Sequence, residues 1–292
     1  MTTSTPATSP QSDTPDPRSR ADGTGLLPGR AVALVVPPLQ GGYQQDAPWA
    51  VAIVARLRRE AGRDAHVSPT AWGLAHLEML ADLREEAALA EQDARRSGAA
   101  GPADLTSAGW RGRETYEQRE DTAVHLAVTL WALHQQSLRD EAMHQPGWPL
   151  GRAVRRLAQG GTGTRDALAP EDSGNAERPG AGRPQGDHDE GAGETVRRRF
   201  VRVGGASDTE VLATRLRDLV LLLRASRIPL DYVRLANQLL RWQDENQRDT
   251  VRREWGRDYH RRRWGTGSAT DTNTQVDAAG DAPRVEDRDA DT

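Results

Sequence analysis

The stretch SDTEVLATRLRDLVLLLRA at residues 207–225 decides the fold of this chain. Ser207 and Glu210 have the spacing of a capping box, in which a serine and a glutamate satisfy the free backbone donors at a helix start. The apolar residues that follow recur at helical intervals, at Leu212, Leu216, Leu219, Val220 and Leu223. The stretch therefore predicts an amphipathic helix that buries one face.

Helical patterns also dominate the rest of the chain. Proline is favoured in the first turn of a helix, and Pro48, Ser68-Pro69 and Pro229 each precede an apolar pattern with helical spacing. The helix predicted from Ser68-Pro69 includes Trp72 in its apolar pattern and continues to Arg96. We expect the charged, alanine-rich second half of this helix to project into solvent.

Further helices are predicted at about 114–139, after a loop at 97–112, and from Leu150 onwards. Only two short segments have a strand-like pattern: AVALVV at 31–36 and RFVRV at 199–203. The second segment is compatible with either an extended chain or a helix. The predicted fold class is all-α, with two small helical-bundle domains.

Composition suggests how these domains are arranged along the chain. We predict a mostly disordered leader at 1–47, an N-terminal helical domain at 48–158, a flexible acidic Gly/Pro-rich insertion at 159–193, a C-terminal helical domain at 194–264 and a disordered acidic tail at 265–292. The C-terminal domain contains seventeen arginines against ten acidic residues, a net charge of +7. A basic module thus lies between two acidic segments.

The residue types that are missing exclude several chemistries. The chain has no cysteine and no lysine, so it has no thiol nucleophile, no disulfide, no Schiff-base lysine and no functional P-loop. His125 and His134 are nine residues apart and fall on opposite sides of one helix, which favours packing or surface roles over a shared metal. We predict a protein that is not an enzyme and that binds no metal or cofactor.

The sequence also bears on location. No apolar run approaches the roughly 20 residues of a membrane span, and the N-terminus has no secretion signal. We therefore expect a cytoplasmic protein without a membrane partner.

Two blocks of arginine flank the acidic insertion. The first contains Arg152, Arg155 and Arg156, and the second contains Arg197, Arg198, Arg199 and Arg202. On a helix, the first block presents one cationic face, and Arg198, Arg199 and Arg202 group together in the second. Guanidinium groups bind phosphates in a bidentate manner, so we predict a surface that binds a nucleic-acid backbone without reading its sequence. Trp110, next to Arg111 and Arg113, is the best candidate for stacking on a base.

A sequence-specific DNA-binding regulator is the alternative. The segment 229–242 would be its recognition helix, and the preceding turn ASRIPLD is compatible with a helix-turn-helix. The residues that would face the bases are Arg234, Asn237, Gln238 and Arg241.

Three stretches resemble one known family. They are WALHQQSLRDEAMHQPGWPLGRAVRRLA at 131–158, TVRRRFVRVGGASDTEVLATRLRDLVLLLRASRIPLDYVRLANQLLRWQ at 195–243 and VRREWGRDYH at 251–260. Their order and spacing resemble the CasB family, the small subunit of the type I-E CRISPR Cascade surveillance complex. The resemblance covers roughly residues 48–260.

The resemblance implies an all-helical, two-domain protein without nuclease activity. Its expected partners are the other Cascade subunits, the guide RNA, the target DNA and a second copy of itself within the complex. Its expected role is to stabilise the R-loop through non-specific backbone contacts. The family's basic surface corresponds here to the seven arginines of the two blocks. The long acidic insertion between these blocks departs from the family pattern, and we expect it to mask them in the free protein.

Overall fold

The computed structural model describes four stretches of the chain, residues 25–67, 69–98, 107–164 and 187–261. Within them the helices are α1 (Leu27–Gln44), α2 (Pro48–Glu60), α3 (Ala75–Arg96), α4 (Ser107–Gln135), α5 (Leu150–Ala158), α6 (Asp187–Gly204), α7 (Thr209–Ala225), α8 (Tyr232–Trp242) and α9 (Glu245–His260), with a 3₁₀ turn at Pro69–Ala71. No β-strand occurs in these stretches, and the predicted all-α class is confirmed.

Helix α7 contains the stretch that decides the fold. All five of its predicted apolar positions are buried, from Leu212 to Leu223. The predicted cap is displaced by one residue, because Asp208 is the N-cap and accepts a hydrogen bond of 2.8 Å from the Val211 backbone N–H. Ser207 instead donates its hydroxyl to the Asp208 carboxylate at 2.7 Å. Aspartate is among the strongest capping residues, so the helix start is still fixed by a side chain.

Helix α1 corrects two predictions, the strand at 31–36 and the extent of the leader to residue 47. The segment is helical, and Val32, Val36 and Leu39 bury one side of it. Six apolar residues are too few to distinguish a strand from a helix, and the following prolines suggested an end. Pro37 and Pro38 instead lie inside the helix, on the side exposed to solvent. There they remove two backbone donors without disturbing the packed face.

Helix α1 is also central to the packing. It contacts α2, α3, α4 and α8, while α4 packs on α7 and α8, and α5 packs on α6 and α9. One hydrophobic cluster connects these helices, and Trp131, Trp242 and Trp255 are buried in it. Helices assigned to both predicted domains therefore contribute to a continuous core. The division at 159–193 into two domains stays a prediction.

Three predicted boundaries need correction. Helix α3 begins at Ala75, after the 3₁₀ turn, because Gly73 adopts a left-handed φ of +68° that interrupts a helix. Helix α4 begins at Ser107, so the second part of the predicted loop at 97–112 is helical. Helix α6 begins at Asp187, inside the predicted flexible insertion. It also contains residues 199–203, so the extended alternative for that segment is wrong.

Most of the leader, the insertion and the tail lie outside the described residues. The exposed second half of α3 is confirmed, since every residue from Glu85 to Asp93 is exposed.

A buried polar network joins α1, α4 and α8. The Gln40 side-chain oxygen accepts hydrogen bonds from the Trp131 indole at 3.2 Å and from the His144 backbone N–H at 2.7 Å. Tyr232 donates its backbone N–H to the His144 ring at 3.2 Å, and its hydroxyl lies 2.9 Å from Nδ1 of His134. Buried polar groups that are satisfied in this way specify one arrangement of the helices.

The predicted packing role of the α4 histidines is confirmed. His134 belongs to the network of Tyr232, and Nδ1 of His125 lies 3.0 Å from Nε2 of the buried His76 on α3. Burial lowers the pKa of both His76 and His134 to about 3, so these rings are neutral in the folded protein at pH 7.

Candidate nucleic-acid interface

Helices α5, α6 and α9 approach one another closely because glycine occupies two contact positions. A Cβ atom on Gly151 of α5 would lie 2.3 Å from the Trp255 carbonyl oxygen of α9. A Cβ atom on Gly193 of α6 would lie 2.4 Å from the Ala158 carbonyl oxygen of α5. Both predicted arginine blocks therefore lie on neighbouring helices, and we call the layer of α5, α6 and α9 the arginine-rich edge.

Arg152, in the first block, contacts the loop that precedes its own helix. Its guanidinium lies over the Trp148 ring, 4.0 Å from the ring centre, and donates to the Gly147 carbonyl at 2.9 Å. A guanidinium on the face of a tryptophan gains a cation–π contact. Arg152 thus stabilises the turn between α4 and α5.

Arg155 and Arg156 also hydrogen-bond to backbone carbonyls. Arg155 donates to the Arg261 carbonyl at 2.8 Å, at the C-terminal end of α9. Arg156 donates to the Thr162 carbonyl at 3.1 Å, in the turn that follows α5. Cations are favourable at the C-terminal end of a helix, where free carbonyls carry partial negative charge. The first block therefore has a structural role. The sequence did not reveal it, because backbone carbonyl acceptors leave no pattern in a sequence.

The second block begins with two arginines that share one carboxylate. Arg197 donates two hydrogen bonds to Glu194, at 2.7 and 2.8 Å, and Nε of Arg198 lies 3.4 Å from the same carboxylate. The hydrogen bond from Arg197 is the main cause of the lowered pKa of Glu194. Both arginines remain exposed, with 55% and 70% of their side-chain surface in solvent.

Arg199 and Arg202 have no such partner. Both are exposed, and their guanidiniums make no hydrogen bond or ion pair with any residue that the structure describes. Helical spacing places them on one side of α6 together with Arg198, as predicted for a helix, while Val203 faces the core. We call Arg198, Arg199 and Arg202 the arginine ridge.

Three more arginines gather at the C-terminal end of α6, and sequence reasoning missed them. Arg215 of α7 donates to the Arg202 carbonyl, and two arginines of α9 donate to the next carbonyls of the turn: Arg248 to Ser207 at 3.3 Å and Arg252 to Ala206 at 3.4 Å. They come from distant parts of the sequence, so no local motif contains them. Only the arginine-rich composition of 248–253 hinted at their presence. They satisfy the backbone carbonyls of the turn that follows the arginine ridge.

Helix α8, the predicted recognition helix, does not have side chains available to read bases. Asn237 and Gln238 are only 4% and 1% exposed, and Asn237 accepts the Gly29 backbone N–H at 2.8 Å. Arg234 and Arg241 form ion pairs with carboxylates of α9, at 2.8 and 2.6 Å. The four side chains assigned to base recognition instead hold α8 against α1 and α9. The prediction of a sequence-specific regulator that uses this helix is therefore wrong.

Within the described stretches, no group of three or more His, Asp or Glu side chains is arranged to hold a metal ion. None of the described helices is long and apolar enough to span a membrane. The Trp110 side chain lies outside the described residues.

The fold and this surface define an all-helical protein with an arginine-rich edge. The family model of the CRISPR-associated protein Cse2 matches residues 54–260. The crystal structure of CasB from Thermobifida fusca is 35% identical in sequence and superimposes with a TM-score of 0.52, covering 81% of this chain and 99% of that chain. No curated protein sequence matches the chain significantly. The chain belongs to the Cse2 family of CRISPR-associated proteins, and its resemblance to CasB is confirmed. Membership of this family implies a role within the CRISPR Cascade complex.

Proposed function

We propose that this protein is the non-catalytic small subunit of a type I-E Cascade complex in the cytoplasm. In this role it contacts the backbones of guide RNA and target DNA, together with other Cascade subunits and a second copy of itself. One observation carries the proposal: in a member of the Cse2 family, α6 presents three arginines on one exposed side, and Glu194 is their acidic partner among the residues that the structure describes.

Three arginines are enough to shift the equilibrium of R-loop formation. The guide–target hybrid is about as stable as the DNA duplex that it replaces, so a few favourable backbone contacts decide the balance. An arginine that neutralises a phosphate also releases a counterion, which makes the affinity depend on salt. Such contacts read no sequence, because the phosphates of all nucleotides are alike.

The remaining arginines of the two blocks belong to the proposed interface in a secondary role. A guanidinium has five N–H donors, and Arg152, Arg155 and Arg156 use only some of theirs on backbone carbonyls. Arg197 would exchange the Glu194 carboxylate for a phosphate. We expect these four residues to contribute less to binding than the arginine ridge does.

The test compares complexes that contain either the wild-type chain or the Arg198→Ala/Arg199→Ala/Arg202→Ala variant. Both are co-purified with the other Cascade subunits and guide RNA, and target-DNA binding is measured across a salt series. The variant is expected to assemble but to lose R-loop lifetime. The plot of log affinity against log salt should become less steep, with the magnitude of its negative slope reduced by about 2 to 3.

A second triple variant, Arg30→Ala/Arg96→Ala/Arg139→Ala, is the matched control. It removes the same charge from exposed residues outside α6 and outside residues 56–64, and it should leave the slope nearly unchanged. An R-loop lifetime that is unaffected by the ridge variant in a complete complex would refute the proposal. Failure of that variant to assemble would identify the ridge as a protein contact instead.

A further inference from the structure

Trp72 is exposed on the turn that precedes α3. Its surface is 63% exposed, and that of the nearby Val67 is 78% exposed. The residues on either side of the turn are anchored, because Ala71 and Leu74 are fully buried in the core. Trp72 therefore points outward while the backbone that carries it is fixed.

Hydrogen bonds also orient the indole. Nε1–H of Trp72 donates to the His66 carbonyl at 3.3 Å, and the Trp72 backbone N–H donates to the Pro69 carbonyl at 3.3 Å. The left-handed φ of Gly73 closes the turn. One edge of the ring is thus held while much of its surface remains open to solvent. An exposed tryptophan does not contribute the free energy that its burial in the core would provide, so a purely structural role does not explain it.

One arginine of α2 contacts the backbone of this turn, and a second lies one helical turn further along α2. Arg56 of α2 donates to the Trp72 carbonyl, and Arg59, one helical turn further on, is exposed and pairs with no described residue. Residues 56–64 contain four arginines and two acidic residues. One of these acids, Glu60, is buried beside Arg63, so it does not oppose a bound anion at the surface. The acids that do face solvent nearby are Asp64 and Glu78.

We propose that Trp72 is a base-stacking platform for single-stranded nucleic acid, with Arg56 and Arg59 beside the phosphate backbone. An aromatic face combined with arginine is the arrangement by which single strands are bound without sequence preference. The platform lies on α2 and the turn before α3, away from α6, and it contacts bases rather than phosphates alone. In the proposed function the strand belongs to the R-loop, and to that extent the inference rests on that function.

The experiment separates base stacking from charge. The full-length chain is titrated against two fluorescein-labelled strands of about 20 nucleotides, one of thymidines and one abasic, and fluorescence anisotropy is measured. The wild type should bind the thymidine strand about tenfold more tightly than the abasic strand. Trp72→Ala should abolish this preference and Trp72→Phe should retain most of it, while Arg59→Ala should weaken the binding of both strands equally.

Trp49→Ala is the matched control, because Trp49 is also half-exposed but lies two helical turns before Arg56. It should keep the preference for the thymidine strand. Retention of the preference in Trp72→Ala, equal binding of both strands by the wild type, or no binding of either would overturn the proposal. So would a Trp72→Ala protein that binds both strands normally but no longer joins co-expressed Cascade subunits, since the ring would then be a protein contact.

The arginine-ridge variant distinguishes the two proposals in the same assay. If it binds both strands as the wild type does, while Trp72→Ala loses the base preference, the platform stands, and the ridge is decided by R-loop lifetime in the assembled complex. If the ridge variant loses affinity for both strands and Trp72→Ala keeps the preference, the platform fails alone.

Discussion

Mild acid should destabilise this protein strongly, because two of its core histidines must be neutral in the folded state. His76 and His134 are fully buried, and burial is the main cause that lowers the pKa of each ring to about 3. The charge of His125 acts in the same direction on His76, and that of Arg224 does so on His134. An unfolded histidine has a pKa near 6.5.

The sign and the size of the effect follow from these values. Between pH 6.5 and pH 3 the unfolded chain binds protons that the folded chain excludes, so stability falls as pH falls. At pH 5 each histidine lowers the free energy of unfolding by about 2 kcal/mol, and the pair by about 4 kcal/mol. Burial lowers the pKa of His125 and His144 as well, which adds to the loss. Domains are commonly stable by only about 5–15 kcal/mol, so this loss is a large fraction of the total.

The assay is urea unfolding followed by far-UV circular dichroism, at a series of pH values from 7 to 5. His134→Gln and His76→Gln will change the stability at pH 7, so the quantity compared is the difference between pH 7 and pH 5. Each substitution should reduce that difference by about 2 kcal/mol. His260→Gln is the control, because His260 is exposed at the end of α9 and its removal should leave the difference unchanged.

A wild-type protein that loses less than about 1 kcal/mol between pH 7 and pH 5 would contradict this reasoning. So would histidine variants that retain the full pH difference. Either result would mean that the rings accept protons without unfolding.

Two further substitutions test the packing of the arginine-rich edge and the start of α7. Gly151→Ala places a methyl group against the α9 backbone and should lower the free energy of unfolding in urea by about 1–3 kcal/mol. Gly191→Ala is the control, because its added carbon meets nothing within 4 Å, and it should be neutral or stabilising. Asp208→Ala should lower the midpoint of urea unfolding and Asp208→Asn should lower it by much less, since asparagine also caps a helix start. Equal melting temperatures for Gly151→Ala and Gly191→Ala, or for the two Asp208 variants, would contradict these assignments.

Local patterns predicted the parts of the fold whose causes are local. The five buried positions of α7 follow from helical periodicity alone, and the three core tryptophans followed from the apolar faces of their helices. Helix α1 was missed because its apolar run is short and is followed by Pro37 and Pro38, which are tolerated only on its solvent side. Whether a proline faces solvent depends on the other helices, and the sequence of α1 does not contain that information.

Tertiary partners explain why the candidate site was only partly predictable. The polar side chains of α8 have the composition of a recognition helix, yet their partners lie on other helices. Arg234, Gln238 and Arg241 pair with Asp258 and Glu254 of α9, and Asn237 accepts a hydrogen bond from Gly29 of α1. For Trp72 the error runs in the other direction, because a residue predicted to be buried is exposed. Its spacing predicted a place in an apolar helical face, but the turn around Gly73 directs it into solvent. In both cases the deciding contact comes from a residue or a turn outside the pattern.

Some arginines of this chain donate to backbone carbonyls at helix ends, and others, such as those of the arginine ridge, are exposed to solvent. Arg155 donates to carbonyls at the end of α9, Arg215 and Arg252 to carbonyls at the end of α6, and Arg224 to the Gln136 carbonyl after α4. Without lysine, the chain satisfies its helix ends with guanidiniums, whose several donors suit backbone carbonyls. A hydrogen bond to a neutral carbonyl leaves the charge of an arginine in place, but it occupies N–H donors that a phosphate would otherwise use, so the net charge of +7 in residues 194–264 overstates the number of direct phosphate contacts. Within the described part of the chain, Glu194 is the acidic residue that pairs with the arginine ridge, so the salt dependence of nucleic-acid binding should reflect about three phosphate contacts rather than the seven that the two arginine blocks suggest.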